Sequence, residues 1–136
     1  MTVLHMLDTD TASYIIKQRP AEIAAKLAAI PPSLLCVSAM TRAELQYGLK
    51  RLPVGHRLHI GVGRFLTIVR ALPWDAEAAD AYADIRHQLV TTGQVIGEID
   101  MMIAAHSLAA GAVLVTNNVR HYERIPGLAL VNWSES

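Results

Sequence analysis

Three carboxylates in this chain stand near a boundary between an apolar segment and a polar one. Asp8 follows the run "VLHML", Glu44 lies in "SAMTRAE" just after "LLCVS", and Asp100 opens the apolar stretch of "GEIDMMIAAHSLAAG". Each has a structural explanation when taken singly. Asp8 or Asp10 could cap the first helix, and Asp10 is the expected cap. Glu44 completes the capping-box spacing Thr41-x-x-Glu44, unless Ser38 is the true cap and leaves Glu44 free. Asp100 could cap its own helix and answer the unsatisfied amides there. Jointly they point elsewhere. Crowded carboxylates repel, and a divalent cation is the usual reason to crowd them. Ligation by oxygen alone selects Mg2+ or Mn2+ over zinc.

The elements that must bring these acids together follow from the apolar pattern. Residues 3–7, "LLCVS" (34–38), "AVLVT" (112–116) and "LALVNW" (128–133) read as four short buried strands. Between them lie helical stretches, "ASYIIKQ", "AEIAAKLAAI" with Pro20 in its first turn and Pro31 and Pro32 stopping it, and "AMTRAELQYGLKRL". Glycines 55, 61 and 63 weaken a helix over "VGHRLHIGVG", whereas "RFLTIVRAL" reads as helical throughout. The segment "WDAEAADAYADIRHQLV" is a clear helix, with Asp75 as N-cap and Gly93 just past its end. Strands apolar throughout and alternating with helices predict an α/β fold, a parallel sheet covered on both faces. Ligands of such sheets bind outside the carboxyl ends of the strands. There the sequence places Asp8–Thr11, Glu44 and the "TNN" of Thr116–Asn118, with the Asp100 helix feeding the third strand.

Composition bounds the remaining possibilities. The 136 residues suit a single domain, 1–136, and a chain 52% hydrophobic and 18% charged is not disordered. No apolar run is long enough to span a membrane and the start lacks a signal peptide, so a cytoplasmic location is expected. One cysteine, Cys36, excludes an internal disulfide and a cysteine zinc cluster. His106 lies six residues beyond Asp100 and turns to another face, as a packed histidine would; Ser107, at seven, returns to Asp100's side. Twelve basic residues balance twelve acidic ones, so nucleic-acid contact must come from local patches. Arg42, Lys50, Arg51, Arg57 and Arg64 gather mid-chain, while Arg120 and Arg124 flank the predicted site. Solvated faces and phosphate contacts are both open to them; Arg42, Arg120 and Arg124 are the RNA-contact candidates.

With "MLDTDTASYIIK", "SAMTRAELQYG", "IGEIDMMIAAHSLAAGAVLVTNN" and "RIPGLALVNW", essentially the whole chain resembles a PIN-domain ribonuclease of the VapC toxin branch. The resemblance implies a three-layer α/β/α sandwich, Mg2+- or Mn2+-dependent endonucleolytic cleavage of RNA, a homodimer and a VapB-like antitoxin. It implies acidic roles for Asp8, Glu44 and Asp100, which would anchor one cation while water attacks in line to leave a 5′-phosphate and a 3′-hydroxyl. Structured RNA, tRNA above all, is the substrate it implies. Thr9, Glu98, Thr116 and Asn118 would support the acids, and Asp10 stands close enough to assist. One departure is Asn118, where many members carry a fourth acid. It leaves open one metal or two, and keeps a non-catalytic PIN-like binding protein as an alternative. "MLDTDT" also fits the DxDxT motif of haloacid-dehalogenase phosphatases. That family needs a later lysine and a late acidic pair, but the last lysine is Lys50 and only Glu123 and Glu135 are acidic beyond Asp100.

Overall fold

The computed structural model describes residues 3–18 and 21–134; the expected place of Pro20 lies outside them. Five strands, β1 (His5–Leu7), β2 (Leu35–Ser38), β3 (Arg70–Leu72), β4 (Val113–Val115) and β5 (Ala129–Val131), form one sheet in the order β3-β2-β1-β4-β5. Every pairing is parallel. The connecting helices are α1 (Thr9–Ile16), α2 (Ala21–Ala28), α3 (Ala39–Lys50), α4 (Leu58–Ile68), α5 (Ala76–Thr91), α6 (Glu98–Ala109) and α7 (Val119–Tyr122).

Period-two alternation along the strands divides the core. Met6, Cys36 and Leu114 face one side, where Ile85 and Leu89 of α5 and Met101, Ile103, Ala104 and Ala105 of α6 cover them. Leu7, Val37 and Val115 face the other side, under α1 to α4. The result is the expected three-layer α/β/α sandwich, its strands buried on both faces and therefore apolar throughout. Among the described residues, no helix is long and apolar enough to cross a membrane.

Two expectations change. "RFLTIVRAL" is not helical to its end: α4 stops at Ile68, buried Val69 turns extended, and Arg70–Leu72 pair with β2 as a fifth strand. Three residues are too few for strand periodicity to show. Conversely, Gly61 and Gly63 do not break α4. At Gly61 an added Cβ would stand 3.2 Å from Ile16 Cγ2, so the missing side chain lets α4 lie close against α1. The α5 boundaries are as expected: Asp75 accepts from the Ala78 amide at 3.1 Å, and Gly93 follows with φ +69°.

Candidate active site

The register sets the site. His5–Leu7 pair in step with Leu35–Val37 on one side and Val113–Val115 on the other, so the strands end together at Asp8, Ser38 and Thr116. β1 is the switch point of the sheet, because its chain neighbour β2 lies to one side and β4 to the other.

Asp8, not Asp10, caps α1: its Oδ1 accepts from the Thr11 amide at 2.9 Å. "DTDT" offers two equivalent caps, and the bond from the Asp8 amide to the Val115 carbonyl (3.0 Å) decides between them by carrying the β1 ladder up to Asp8. The Thr116 side chain stands beside the Asp8 carboxylate and favours its charged form. Asp8 is 4% exposed, and burial pushes its pKa above the usual 3.8, opposed by Thr116 and by the Thr11 hydrogen bonds and aided by the charge of Asp10.

Ser38 caps α3 through the Met40 amide (3.1 Å), which rules out the capping box and leaves Glu44 free. Glu44 accepts instead from the Thr9 hydroxyl. Thr41 Oγ1 lies 3.2 Å from Thr9 Oγ1 and donates in turn, because the single Thr9 proton goes to the carboxylate. His106 reaches Ser38 Oγ at 2.8 Å and so ties α6 to the α3 cap; burial lowers its pKa, opposed by the charge of Asp75. Ser107 donates to the Ala112 carbonyl (3.3 Å), a bond that closes α6 and takes no part in the site.

Asp100 does not cap its helix. Gly97 holds that position, and Asp100 sits in the first turn, where its charge still meets the positive end of the helix dipole. Asp8, Thr9, Asp10, Glu44, Asp100, Asn118 and Tyr122 line one cavity of about 210 Å3. Tyr122 is the member that sequence reasoning missed. Its buried hydroxyl is pushed far above the ordinary phenol value by desolvation, then by the charges of Asp100 and Asp8, a hydrogen bond to Asp100 and the charge of Asp10. The fields of three acids therefore converge on one oxygen. Its four-residue spacing from Asn118 was the available signal.

Thr116 stands behind Asp8, and its hydroxyl also accepts from the Asn118 amide at 2.9 Å. The Asn118 side chain pairs with His121 Nδ1 at 2.8 Å. Glu98 is not at the cavity: it is exposed and faces Arg86 at 3.5 Å. Arg42, Arg120 and Arg124 do not line the cavity either. Arg42, two residues before Glu44, points about 200° away around α3. Arg120 is exposed on α7, and Arg124 donates to the Gln94 carbonyl at 3.3 Å. Cys36 is no nucleophile, since burial pushes its thiol up to about 12.

Among the described residues, no three acidic, histidine or cysteine side chains close tightly enough to cage an ion by themselves. The donor set nevertheless fits Mg2+ or Mn2+. Four carboxylates share a cavity that, among the described residues, no cationic side chain lines. Mg2+ keeps several waters and needs only one or two direct carboxylates, a looser demand than a protein cage.

The burial of Asp8 has a measurable consequence in metal-free protein. With its pKa raised, the folded state holds the Asp8 proton more tightly than the unfolded chain. The wild type then loses stability as pH rises from 3.8 through the raised value, and the full penalty stands above it. Asp8→Asn keeps the cap and lacks this titration. In EDTA its stability relative to wild type is expected to be greatest at neutral pH and to decline toward pH 4, as read by urea unfolding. The opposite slope would mean a depressed Asp8.

A parallel α/β/α protein with acids at its sheet switch point is the class that fold and cavity define. The family model described as "PIN domain" matches residues 5–128, and the chain belongs to the PIN-domain family. Within that family its relatives are VapC ribonucleases. It is 37% identical over 128 residues to "tRNA(fMet)-specific endonuclease VapC" of Salmonella typhimurium, covering 94% of this chain and 96% of that one. "Ribonuclease VapC2" of Haemophilus influenzae is 36% identical over 129 residues, 95% and 97% of the two chains. Among solved structures, DNA-bound VapBC from Salmonella typhimurium superposes with a TM-score of 0.89 at 36% identity, over 96% of this chain and 98% of the other.

Proposed function

We propose that this chain is the toxin of a toxin–antitoxin pair, a Mg2+- or Mn2+-dependent endoribonuclease that cuts structured RNA, tRNA first, to 5′-phosphate and 3′-hydroxyl ends. The observation that carries it is the gathering of Asp8, Asp10, Glu44 and Asp100 in one cavity at the switch point. Its relatives' names, ribonucleases and a tRNA endonuclease, support the reaction and substrate class.

Asp8, Asp100 and Glu44 would hold the cation. When bound, it supplies a Lewis acid for a phosphate oxygen and a lowered pKa for an attacking water. The rest is the work of side chains. The Thr11 amide holds the Asp8 carboxylate and the Thr9 hydroxyl holds Glu44, with Thr116 beside Asp8 and Tyr122 beside Asp100, so the acids are aimed before substrate arrives. In-line attack by water forms the new bond to phosphorus, breaks the bond to O3′ and leaves the phosphate on the 5′ side. A VapB-like antitoxin and a second copy of the chain are the proposed partners; the solved VapBC complexes of similar toxins support the first.

The test is to sequence 5′-phosphate ends made after brief induction in cells. A few discrete sites, concentrated in tRNA loops, are expected; cuts spread evenly over all RNA would count against a toxin. A binding-only role rests on Asn118 and on the absence of a closed acid cage among the described residues. RNA cleavage by the wild type in Mg2+ separates the two, and Asn118→Asp then tests the place of Asn118. An added carboxylate in the cavity should lower the Mg2+ needed for half-maximal cleavage several-fold, since charge in an acid cluster favours cation binding. An unchanged Mg2+ requirement would remove Asn118 from the site.

A further inference from the structure

A second and larger cavity, about 810 Å3, lies at the other end of α1. Among the described residues its lining includes Lys17, Gln18, His56, Arg57 and Arg64, and no acidic residue. Lys17, Arg57 and Arg64 are exposed, and among the described residues none of them forms a salt bridge. His56 adds a donor: its Nδ1 accepts from the Leu58 amide at 3.1 Å, which places a proton on Nε2. Gln18 adopts φ +60°, a left-handed turn uncommon for a side chain of its size, where α1 ends at the cavity edge. In a chain with no net charge, three uncompensated cations around one concavity make a local anion site.

We propose that this cavity binds RNA phosphates away from the cut, offsetting the repulsion that the acid cavity presents to the same strand. The proposal rests on the ribonuclease assignment. α1 sets the geometry: Asp10 lines the acid cavity and Lys17 the cationic one. They are seven residues apart, two turns along the same stripe of the helix and roughly 10 Å in rise. One RNA chain can therefore meet both, the scissile phosphate at the acids and a neighbouring stretch of backbone at the cations. Contacts of this kind carry no sequence information; they fix register and supply salt-dependent affinity.

The experiment measures binding of bulk tRNA to the full chain in EDTA, where cleavage is off, from 50 to 200 mM salt. Wild type is compared with Lys17→Gln/Arg57→Gln/Arg64→Gln and with the charge-keeping Lys17→Arg/Arg57→Lys/Arg64→Lys. Each lost phosphate contact should reduce the slope of log K against log salt by about 0.7–0.9, so the neutral triple variant should lose about 2–3 units of slope and bind on the order of a hundredfold more weakly at about 0.1 M salt. The charge-keeping variant should retain the slope, which separates lost charge from lost fold. In Mg2+ the neutral variant should raise KM and leave kcat unchanged. Arg86→Gln, at the exposed pair with Glu98, should change nothing. An unchanged slope and KM overturns the proposal, and if polyglutamate binding is lost in its place the cavity serves an acidic protein segment. A wild type that cuts no RNA in Mg2+ sinks the ribonuclease assignment, while the slope in EDTA still decides this cavity.

Discussion

Asp100→Asn is expected to abolish RNA cleavage and growth inhibition while leaving the metal-free protein as stable as wild type, or more stable. Asp100 is not the cap of α6, so its replacement forfeits only a dipole contribution of about 0.3–1 kcal/mol. Against that loss stands relief from the repulsion of Asp8 and Asp10, whose fields meet that of Asp100 at the Tyr122 hydroxyl. Asp8→Asn should behave alike, because asparagine caps α1 as well as aspartate does. Mn2+ should raise the melting temperature of wild type by preferential binding to the folded state, and do so far less in either variant. Glu98→Gln, one residue into the same helix but turned toward Arg86, should keep both cleavage and the Mn2+ response. Cleavage that survives Asp100→Asn, or unfolding of that variant in EDTA, would remove Asp100 from the metal set.

Leu114→Ala should show the reverse profile, a large loss of stability with the acids untouched. Leu114 is fully buried in β4, in register with Met6 on one side and Leu130 on the other, and α5 and α6 cover it. Truncating such a leucine costs about 3–4 kcal/mol, the lost burial plus a cavity that close-packed neighbours cannot refill. For a chain of this size the melting temperature should fall about 10–15 °C by calorimetry. Activity should return in full below the transition, since no cavity-lining side chain is altered. A fall of less than a few degrees would mean that β4 contributes little to the core.

The fold was legible because buried parallel strands announce themselves as short apolar runs, and four of the five did so. β3 did not: Arg70–Leu72 is three residues long, is joined to α4 by Val69 alone and is partly exposed at the sheet edge. The acids were legible for a related reason. Asp8 directly follows a buried strand and has few places to go. Glu44, in the helix after β2, and Asp100, at the mouth of the helix before β4, converge on it once the sheet is parallel. What sequence could not settle was local competition. Asp8 and Asp10 are equally good caps until strand pairing chooses one, and Glu98 and Asp100 differ only by the 200° that turns one outward and the other into the cavity. Tyr122 was hidden among the polar residues of "VRHYER", where nothing in composition separates a buried phenol from a surface one.

The order of the strands carries a consequence for how this chain is made. β1 is the centre of the sheet, but one of its two partners, β4, is synthesised last but one. Asp8 is backed by Thr116, its amide is held by Val115, and Tyr122 closes the cavity from still further along. At about 5–20 residues per second, the interval between β1 and β4 leaving the ribosome is about 5–20 s. Throughout it the β2 side of the site can assemble, yet its acids lack the backing that holds them at the switch point. Until β4 is made, Asp8 lacks both the Val115 carbonyl and the Thr116 side chain behind it. The acid cavity is therefore complete only once β4 has paired beside β1, a step that joins residues more than a hundred positions apart in the chain.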